Sequence, residues 1–247
     1  MAIEIFNRFE LKYLISIDEY YEMRSKLLER MTFDSYGNND GKYNIISLYF
    51  DSAERGIYYE TKNKLSFRQK LRLRVYDRTS IEDQAFFEIK QKFKNVVNKR
   101  RTVLSLNDAY KLIKNKPNIF SKELPPASNT QILKEVIHFR NQYELEPDII
   151  VSYDRQAFVG VNEPDLRVTF DYNLMTRDYD LRLENGPYGH HFIHPDLVVL
   201  EIKVSNSVPL WLSNIVSEMN LSRKSVSKFC TSVELAEELA LKRKKYS

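Results

Sequence analysis

The sequence predicts an α+β fold, a closed antiparallel β-barrel with helices packed on its outside. Three observations lead there. Lys70-Leu71-Arg72-Leu73-Arg74-Val75-Tyr76 alternates cation and hydrophobe over a full strand length, so Lys70, Arg72 and Arg74 share one face and Leu71, Leu73 and Val75 the other. The pattern recurs in distant segments. Glu88 aligns with Lys90 and Lys92, Glu201 with Lys203, Arg167 with Thr169 and Asp171, Tyr153 with Arg155, and Arg8 with Glu10 and Lys12. Amphipathic segments with helix-capping signals separate these strands. One such strand alone reads as a solvated basic surface. Glu-x-Lys occurring twice among full hydrophobes such as Phe87, Leu200 and Ile202 instead implies an apolar exterior under helices and a charged interior.

In chain order, residues 3–14 read as the first strand. Ser16 and Glu19 then form a capping box for a helix running to about Met31, with Tyr20, Met23, Leu27 and Met31 on its apolar face. A turn-rich loop over 34–42 precedes strand 43–51, and a short helical connection over 52–64 precedes the basic strand 67–77. Strand 84–93 follows. In 95–104, Lys99 and Arg101 share a face, as a solvated charge run or as a further strand. Ser105 caps a short helix, a Pro-containing loop covers 115–127, and 129–143 reads as a helix. Strands are expected at 148–158, 166–172, 178–184 and 197–204, with a Gly/Pro loop at 185–189. Pro209 starts a helix, where its missing N–H costs nothing, and the last helix covers about 223–244.

Composition narrows the function. The 247 residues suit one β-rich domain, read here as a single unit over 1–247, and 43% hydrophobic content supports a core. Net charge is only +4, from 38 basic and 34 acidic residues, so a polyanion would have to be met by local concentration of cations. Cys230 is the only cysteine, which excludes an intrachain disulfide and a Cys-based zinc site. No apolar run reaches a membrane span and the N-terminus lacks a signal layout, so a cytoplasmic protein is expected. Lys242-Arg243-Lys244-Lys245 suits a helix C-terminus rather than a nucleic-acid patch. His190, His191 and His194 offer a rival transition-metal site, but without the helical frame such ligands normally use. No phosphate-binding P-loop and no nucleophile elbow is present.

Cations from several strands, converging on one axis, would grip a polyanion by Arg forks and Lys point charges. Interspersed Glu10, Glu88 and Glu201 would relieve repulsion in the empty site and offer oxygen ligands to Mg²⁺ or Mn²⁺.

Arg8-Phe-Glu-Leu-Lys-Tyr13, the Leu-Arg-Leu-Arg core at 71–74, Phe-Glu-Ile-Lys90, Ser-Tyr-Asp-Arg155, Leu-Arg167-Val-Thr-Phe-Asp, Leu-Glu201-Ile-Lys and Ser227-Lys228-Phe resemble, in that order, the VTC-type polyphosphate polymerase domain. That domain belongs to the triphosphate tunnel metalloenzyme superfamily, related to CYTH proteins. The resemblance runs from about Glu4 to about Phe229. It implies a closed antiparallel tunnel, a divalent metal (Mn²⁺ or Mg²⁺), and transfer of a phosphoryl group from ATP onto growing polyphosphate. By resemblance Glu201 is the foremost metal ligand, with Glu10 a second. Lys12, Arg72, Arg74, Lys90, Arg155, Arg167, Lys203 and Lys228 are phosphate ligands, with Tyr153 and Ser227 as hydrogen-bond donors. Lys99 and Arg101 join them as the next tunnel strand, and Arg72, Arg74, Lys90 and Lys203 are the catalytic cations. The first-strand motif here is Glu-Leu-Lys without an earlier paired Glu, which argues against a CYTH-type hydrolase. Relatives can be fused or docked to membrane partners. Three functions compete: an ATP-dependent polymerase, a tripolyphosphate or nucleoside triphosphate hydrolase, and a non-enzymatic polyphosphate-binding module.

Overall fold

The alternation in the sequence becomes the two faces of one antiparallel sheet. The structure is a computed structural model and describes residues 5–94, 96–121, 123–224 and 226–245. In chain order the strands and helices are β1 (Ile5–Ser16), α1 (Ile17–Leu27), β2 (Met31–Phe33), β3 (Lys42–Asp51), α2 (Gly56–Lys62), β4 (Phe67–Tyr76), β5 (Gln84–Phe93) and β6 (Val96–Ser105). There follow α3 (Leu106–Asn115), α4 (Thr130–Gln142), β7 (Glu146–Gly160), β8 (Arg167–Arg177), β9 (His190–His191), β10 (Leu197–Val204), α5 (Leu210–Glu218) and α6 (Lys228–Lys245). The ten strands are ordered β2-β7-β3-β4-β5-β6-β1-β10-β8-β9, and β7 pairs in addition with β8.

The outward face carries the hydrophobes and two cores cover it. Leu71, Leu73, Val75, Phe87 and Ile89 pack with α2, α3, α4 and α6 through residues such as Ile57, Leu112, Val136 and Val233. Val168, Phe170, Leu200 and Ile202 pack with α1 and α5 through Tyr20, Met23, Leu27 and Leu212. Cys230 is a small buried member of the first core. Local signals place the helices. Ser16 Oγ accepts from Glu19 N at 3.2 Å while Glu19 Oε2 accepts from Ser16 N at 2.6 Å, a complete capping box. Ser105 and Asn129 cap α3 and α4 through the N–H groups of Asp108 and Ile132. α2 has no cap of its own side chain. Buried Asp51 accepts from Ile57 N at 2.8 Å and Tyr58 N at 3.0 Å in its place.

Several boundaries differ from the sequence reading. The first two residues of the expected strand 3–14 lie outside the described residues. The first helix stops at Leu27, and Met31 is buried as part of a strand, with Met31, Thr32 and Phe33 paired to Gly160, Val159 and Phe158. The aromatic and β-branched residues at 32–33 find a ladder there that outweighs the continuing helical period. Residues 178–184 are not a strand. β8 continues, past a register shift against β7 at Asn173, to Arg177, whose guanidinium, itself buried, donates to the carbonyls of Asp180, Arg182, Gly186 and Tyr188. Those acceptors fold the segment into a compact loop. Gly189 (φ 138°) brings that loop back against β8, where a Cβ would collide with the Thr176 carbonyl. The last helix begins at Lys228, because the preceding chain lies along β1: Lys224 N donates to Lys12 O at 3.0 Å and Arg223 bridges Tyr13. Ser227 then caps α6, its Oγ accepting from Cys230 N at 3.3 Å.

Candidate functional site

The inward face of the sheet lines a cavity of about 1380 Å³. Its wall includes Lys12, Arg72, Arg74, Lys90, Lys99, Arg101, Tyr153, Arg155, Arg167, Lys203, Ser227 and Lys228, together with Glu10 and Glu201. The structure therefore brings every phosphate-ligand and metal-ligand candidate of the tunnel reading to one place, from seven strands and the start of α6. Register does this. Lys12 stands opposite Glu201 and Glu10 opposite Lys203 across β1 and β10. Arg72 faces Glu88 across β4 and β5, and Glu88 faces Arg101 across β5 and β6. Directly paired opposite charges stabilise such ladders.

Two buried acidic centres organise the cations. At the first, Glu201 Oε1 lies 2.9 Å from Lys12 Nζ and 3.0 Å from Lys228 Nζ, while Oε2 lies 2.8 Å from Lys203 Nζ. Asp171 lies beside it, fully buried. It accepts a bidentate fork from Arg155 at 2.6 and 2.7 Å and contacts Lys228 Nζ at 2.6 Å. Glu10 takes Lys90 Nζ at 2.8 Å. At the second centre, Glu88 has no exposed surface. It accepts from Arg72 Nε at 2.7 Å, pairs closely with Lys99, and has Arg74 Nη1 at 3.7 Å. Neutral donors and acceptors complete the wall: Arg72 donates to Tyr49 OH at 2.9 Å, and Arg74 to Ser47 Oγ at 3.0 Å and Tyr153 OH at 3.3 Å. Lys70 Nζ reaches Ser227 Oγ at 3.3 Å, and Arg167 donates to Tyr43 OH at 2.9 Å and pairs with Asp34. The N-terminus of α6, the positive end of its dipole, opens on the same cavity through Ser227 and Lys228.

The electrostatics follow from this crowding. Burial alone would raise the Glu10 carboxyl, yet Lys90 and Lys12 overcome it and bring it down to about 2. Burial opposes ionisation of Glu201 too, but Lys12, Lys203 and Lys228 hold it well below the usual carboxylate range. Glu88 is driven down in the same way by Arg72, Lys99 and Arg74. The lysines divide: Glu201 and Asp171 raise Lys12 and Lys228 against the effect of burial, while burial wins at three others and disfavours their charged form. Burial, with Arg72 and Arg74 nearby, lowers Lys99 to about 7 despite Glu88. Burial lowers Lys70 to about 8, and Lys203 to about 8 in spite of Glu201. Tyr49, which burial would raise, is brought down to about 8 by Arg72, Arg74 and Lys70.

Among the described residues no three His, Cys, Asp or Glu side chains form a metal cage. The donor set fits a different arrangement, a hard dication taking one or two carboxylates with phosphate oxygens completing its shell. Glu201 and Glu10 are the carboxylates on the cavity wall suited to it. His190 and His191 are exposed neighbours on β9, pointing to opposite faces, and His194 Nδ1 accepts only from its own loop at Asp196 N. Sequence reasoning passed over several participants. Asp171 was visible two places after Thr169 on the inward face, but a lone Asp gave no reason to single it out. Tyr43, Ser47 and Tyr49 sit in a β3 so apolar on both faces that alternation is hidden. Asp34 comes from a loop with no period at all.

A family model described as VTC domain matches residues 7–237. No curated protein matches the sequence. Among solved structures, a Hippeastrum protein described as revealing a dominant triphosphatase activity superposes with a TM-score of 0.53 at 14% identity, covering 94% of this chain and 96% of that one. The PH1819 protein of Pyrococcus horikoshii gives 0.44 at 13% identity, covering 94% and 98%. At 14% identity the first likeness bears on the fold alone.

Proposed function

The chain belongs to the VTC domain family, and from that premise we propose that it is a metal-dependent polyphosphate polymerase, transferring the terminal phosphoryl group of ATP to a growing polyphosphate chain inside a basic tunnel. One observation carries the polymerase reading beyond triphosphate chemistry in general. The inward row of β4 runs Arg74, Arg72, Lys70, Arg68 at steps of about 7 Å, and the cations continue to the rim with Lys92, Lys94 and Lys64. A triphosphate held at Arg72 and Arg74 leaves those outer cations without a partner; a polymer uses them all. The β7–β8 pairing supports reading the sheet as a tunnel wall closed on itself.

In the proposed reaction a terminal oxygen of the polyphosphate attacks the γ-phosphorus of ATP. The bond from that phosphorus to the β–γ bridging oxygen breaks, and ADP leaves with the electron pair. Arg72 and Arg74 hold the nucleotide's phosphates by planar forks, while Lys90 and Lys203 face them as point charges. Lys12, Arg155, Arg167 and Lys228 hold the acceptor chain, with Lys99, Arg101, Tyr153 and Ser227 completing the grip. Most of these cations are already oriented by Glu88, Asp171 and Glu201, with Glu10 holding Lys90 and Asp34 holding Arg167, so little reorganisation is needed as charge shifts between oxygens. Mg²⁺ or Mn²⁺ held by Glu201, with Glu10, would neutralise charge on the phosphate oxygens. Glu201 is at present covered by three ammonium groups, which an arriving polyanion would draw onto itself.

With this function go a single domain over residues 1–247 and a cytoplasmic location, and no helix among the described residues is long and apolar enough to cross a membrane. Incubation with ATP and Mn²⁺, with separate measurement of long-chain polyphosphate and orthophosphate, tests the reading. Polymer and ADP are expected. Orthophosphate without polymer would make the chain a hydrolase, and binding without turnover under any divalent metal would make it a binding module.

A further inference from the structure

The two ends of the cavity are chemically unlike. Along β4 and β5 the inward positions read, from one end, Arg68, Lys70, Arg72, Arg74, Tyr76 and, antiparallel, Lys92, Lys90, Glu88, Phe86. One end is therefore ringed by cations and the other by aromatic side chains. Tyr76 lies 5.3 Å from Phe86 in an edge-to-face arrangement and 5.9 Å from Tyr43, with Tyr36, 73% exposed, at the same end of the cavity. Phe86 is half-buried and belongs to neither hydrophobic core, whereas Tyr76 packs its other side against the first core and Tyr43 is part of it; the inward positions of β5 from Glu88 onward are all charged. The Arg101 guanidinium lies over its ring at 5.3 Å, and Arg101 Nε is buried with no hydrogen-bond partner. Phe86 is thus an apolar ring on a charged face, outside both cores and bordered by a guanidinium whose Nε has no hydrogen-bond partner.

We propose that this aromatic end is a docking site for the base of a nucleoside triphosphate, so that the cavity has a direction: the nucleoside stays at Tyr76 and Phe86 while the phosphates point inward to Arg74 and Arg72. The inference rests on the polymerase reading and deepens it. Tyr76 follows Arg74 by two residues, about 7 Å along the strand, which leaves room for the ribose between phosphate and base. The opposite orientation would place the base among Lys70 and Lys90. The aromatic pair there, Tyr49 and Phe229, is buried and already stacked on itself at 5.1 Å. Stacking uses the π-face that every base has, so the site accepts adenine and guanine alike and gives nucleotides an advantage over inorganic triphosphate.

The test measures binding without turnover. Affinities for non-hydrolysable ATP and GTP analogues and for inorganic tripolyphosphate are determined for the wild type, Phe86→Leu, Tyr76→Leu and Phe86→Tyr. The Leu variants keep apolar bulk and remove the π-face. They are expected to weaken both nucleotides by at least about fivefold, the scale of one stacked base, and to leave tripolyphosphate within about twofold. Phe86→Tyr is expected to match the wild type. Equal weakening of nucleotide and tripolyphosphate, no weakening of either, or a wild type that binds tripolyphosphate but no nucleotide would each overturn the site. Nucleotide discrimination without polymer formation would leave the docking site standing and remove the polymerase assignment. Polymer formation with no discrimination among the variants would do the reverse.

Discussion

Glu201 and Glu88 share one chemistry and have different tasks. Glu201 borders the cavity, and its three lysine partners keep alternatives: Lys228 also has Asp171, Lys203 Nζ also reaches Thr169 Oγ1, and Lys12 also donates to Val226 O. Glu201→Gln should therefore keep the fold and lose most metal-dependent turnover, because an amide is a poor ligand for a hard dication. Unchanged rates at limiting Mn²⁺ would refute the ligand role. Glu88 has no access to the cavity and holds three cations at once. Glu88→Gln leaves those charges uncompensated in a buried place, so urea unfolding should show a loss of about 3–5 kcal/mol. Saturating polyphosphate should return much of it, since the ligand supplies the missing negative charge. A variant as stable as the wild type would mean that the cluster is compensated elsewhere. The sequence made both glutamates visible by alternation; it did not separate them, because only the three-dimensional register tells which carboxylate lies under the cations and which lies among them.

At the level of elements, short-range chemistry was the most legible. The Ser16–Glu19 box, the Ser105 cap and the amphipathic face of α4 all stand where the sequence puts them. Ser16→Ala should cost about 1 kcal/mol, the usual value of a lost N-cap, read as a lower denaturant midpoint at constant slope; no change would mean that the backbone bond from Ile17 N to Asp196 O suffices to anchor the helix start. What the sequence hid were elements decided by distant partners. Met31 fits either a helix face or a strand until Gly160 is known to lie beside it. Residues 178–184 have a strand's composition, but the carbonyls that would enter a ladder are taken by Arg177. Arg223 and Lys224 read as helix until β1 is seen to hold them.

At the scale of the molecule, the inward charge and outward hydrophobe were readable from period alone, whereas strand order was not. β1 pairs with β10 across nearly the whole chain, and nothing local to Lys12 announces Glu201. The same long-range convergence has a consequence for acid–base behaviour. Burial lowers Lys99, Lys70 and Lys203 to about 7, 8 and 8, so that at mildly alkaline pH the cavity holds vacant proton sites. A polyanion favours the ammonium form and raises these values on arrival, so it must bring protons in from the buffer. Above about pH 7 each further unit of pH makes that uptake harder, and affinity should fall steadily toward pH 9; at pH 6 the lysines are already charged and the effect should vanish. Calorimetry of polyphosphate binding at pH 8, in two buffers of different ionisation enthalpy, reads the proton count directly, and identical heats would refute it. Each phosphate chain that enters would thus leave its surroundings slightly more alkaline, and each one that leaves would return the acid.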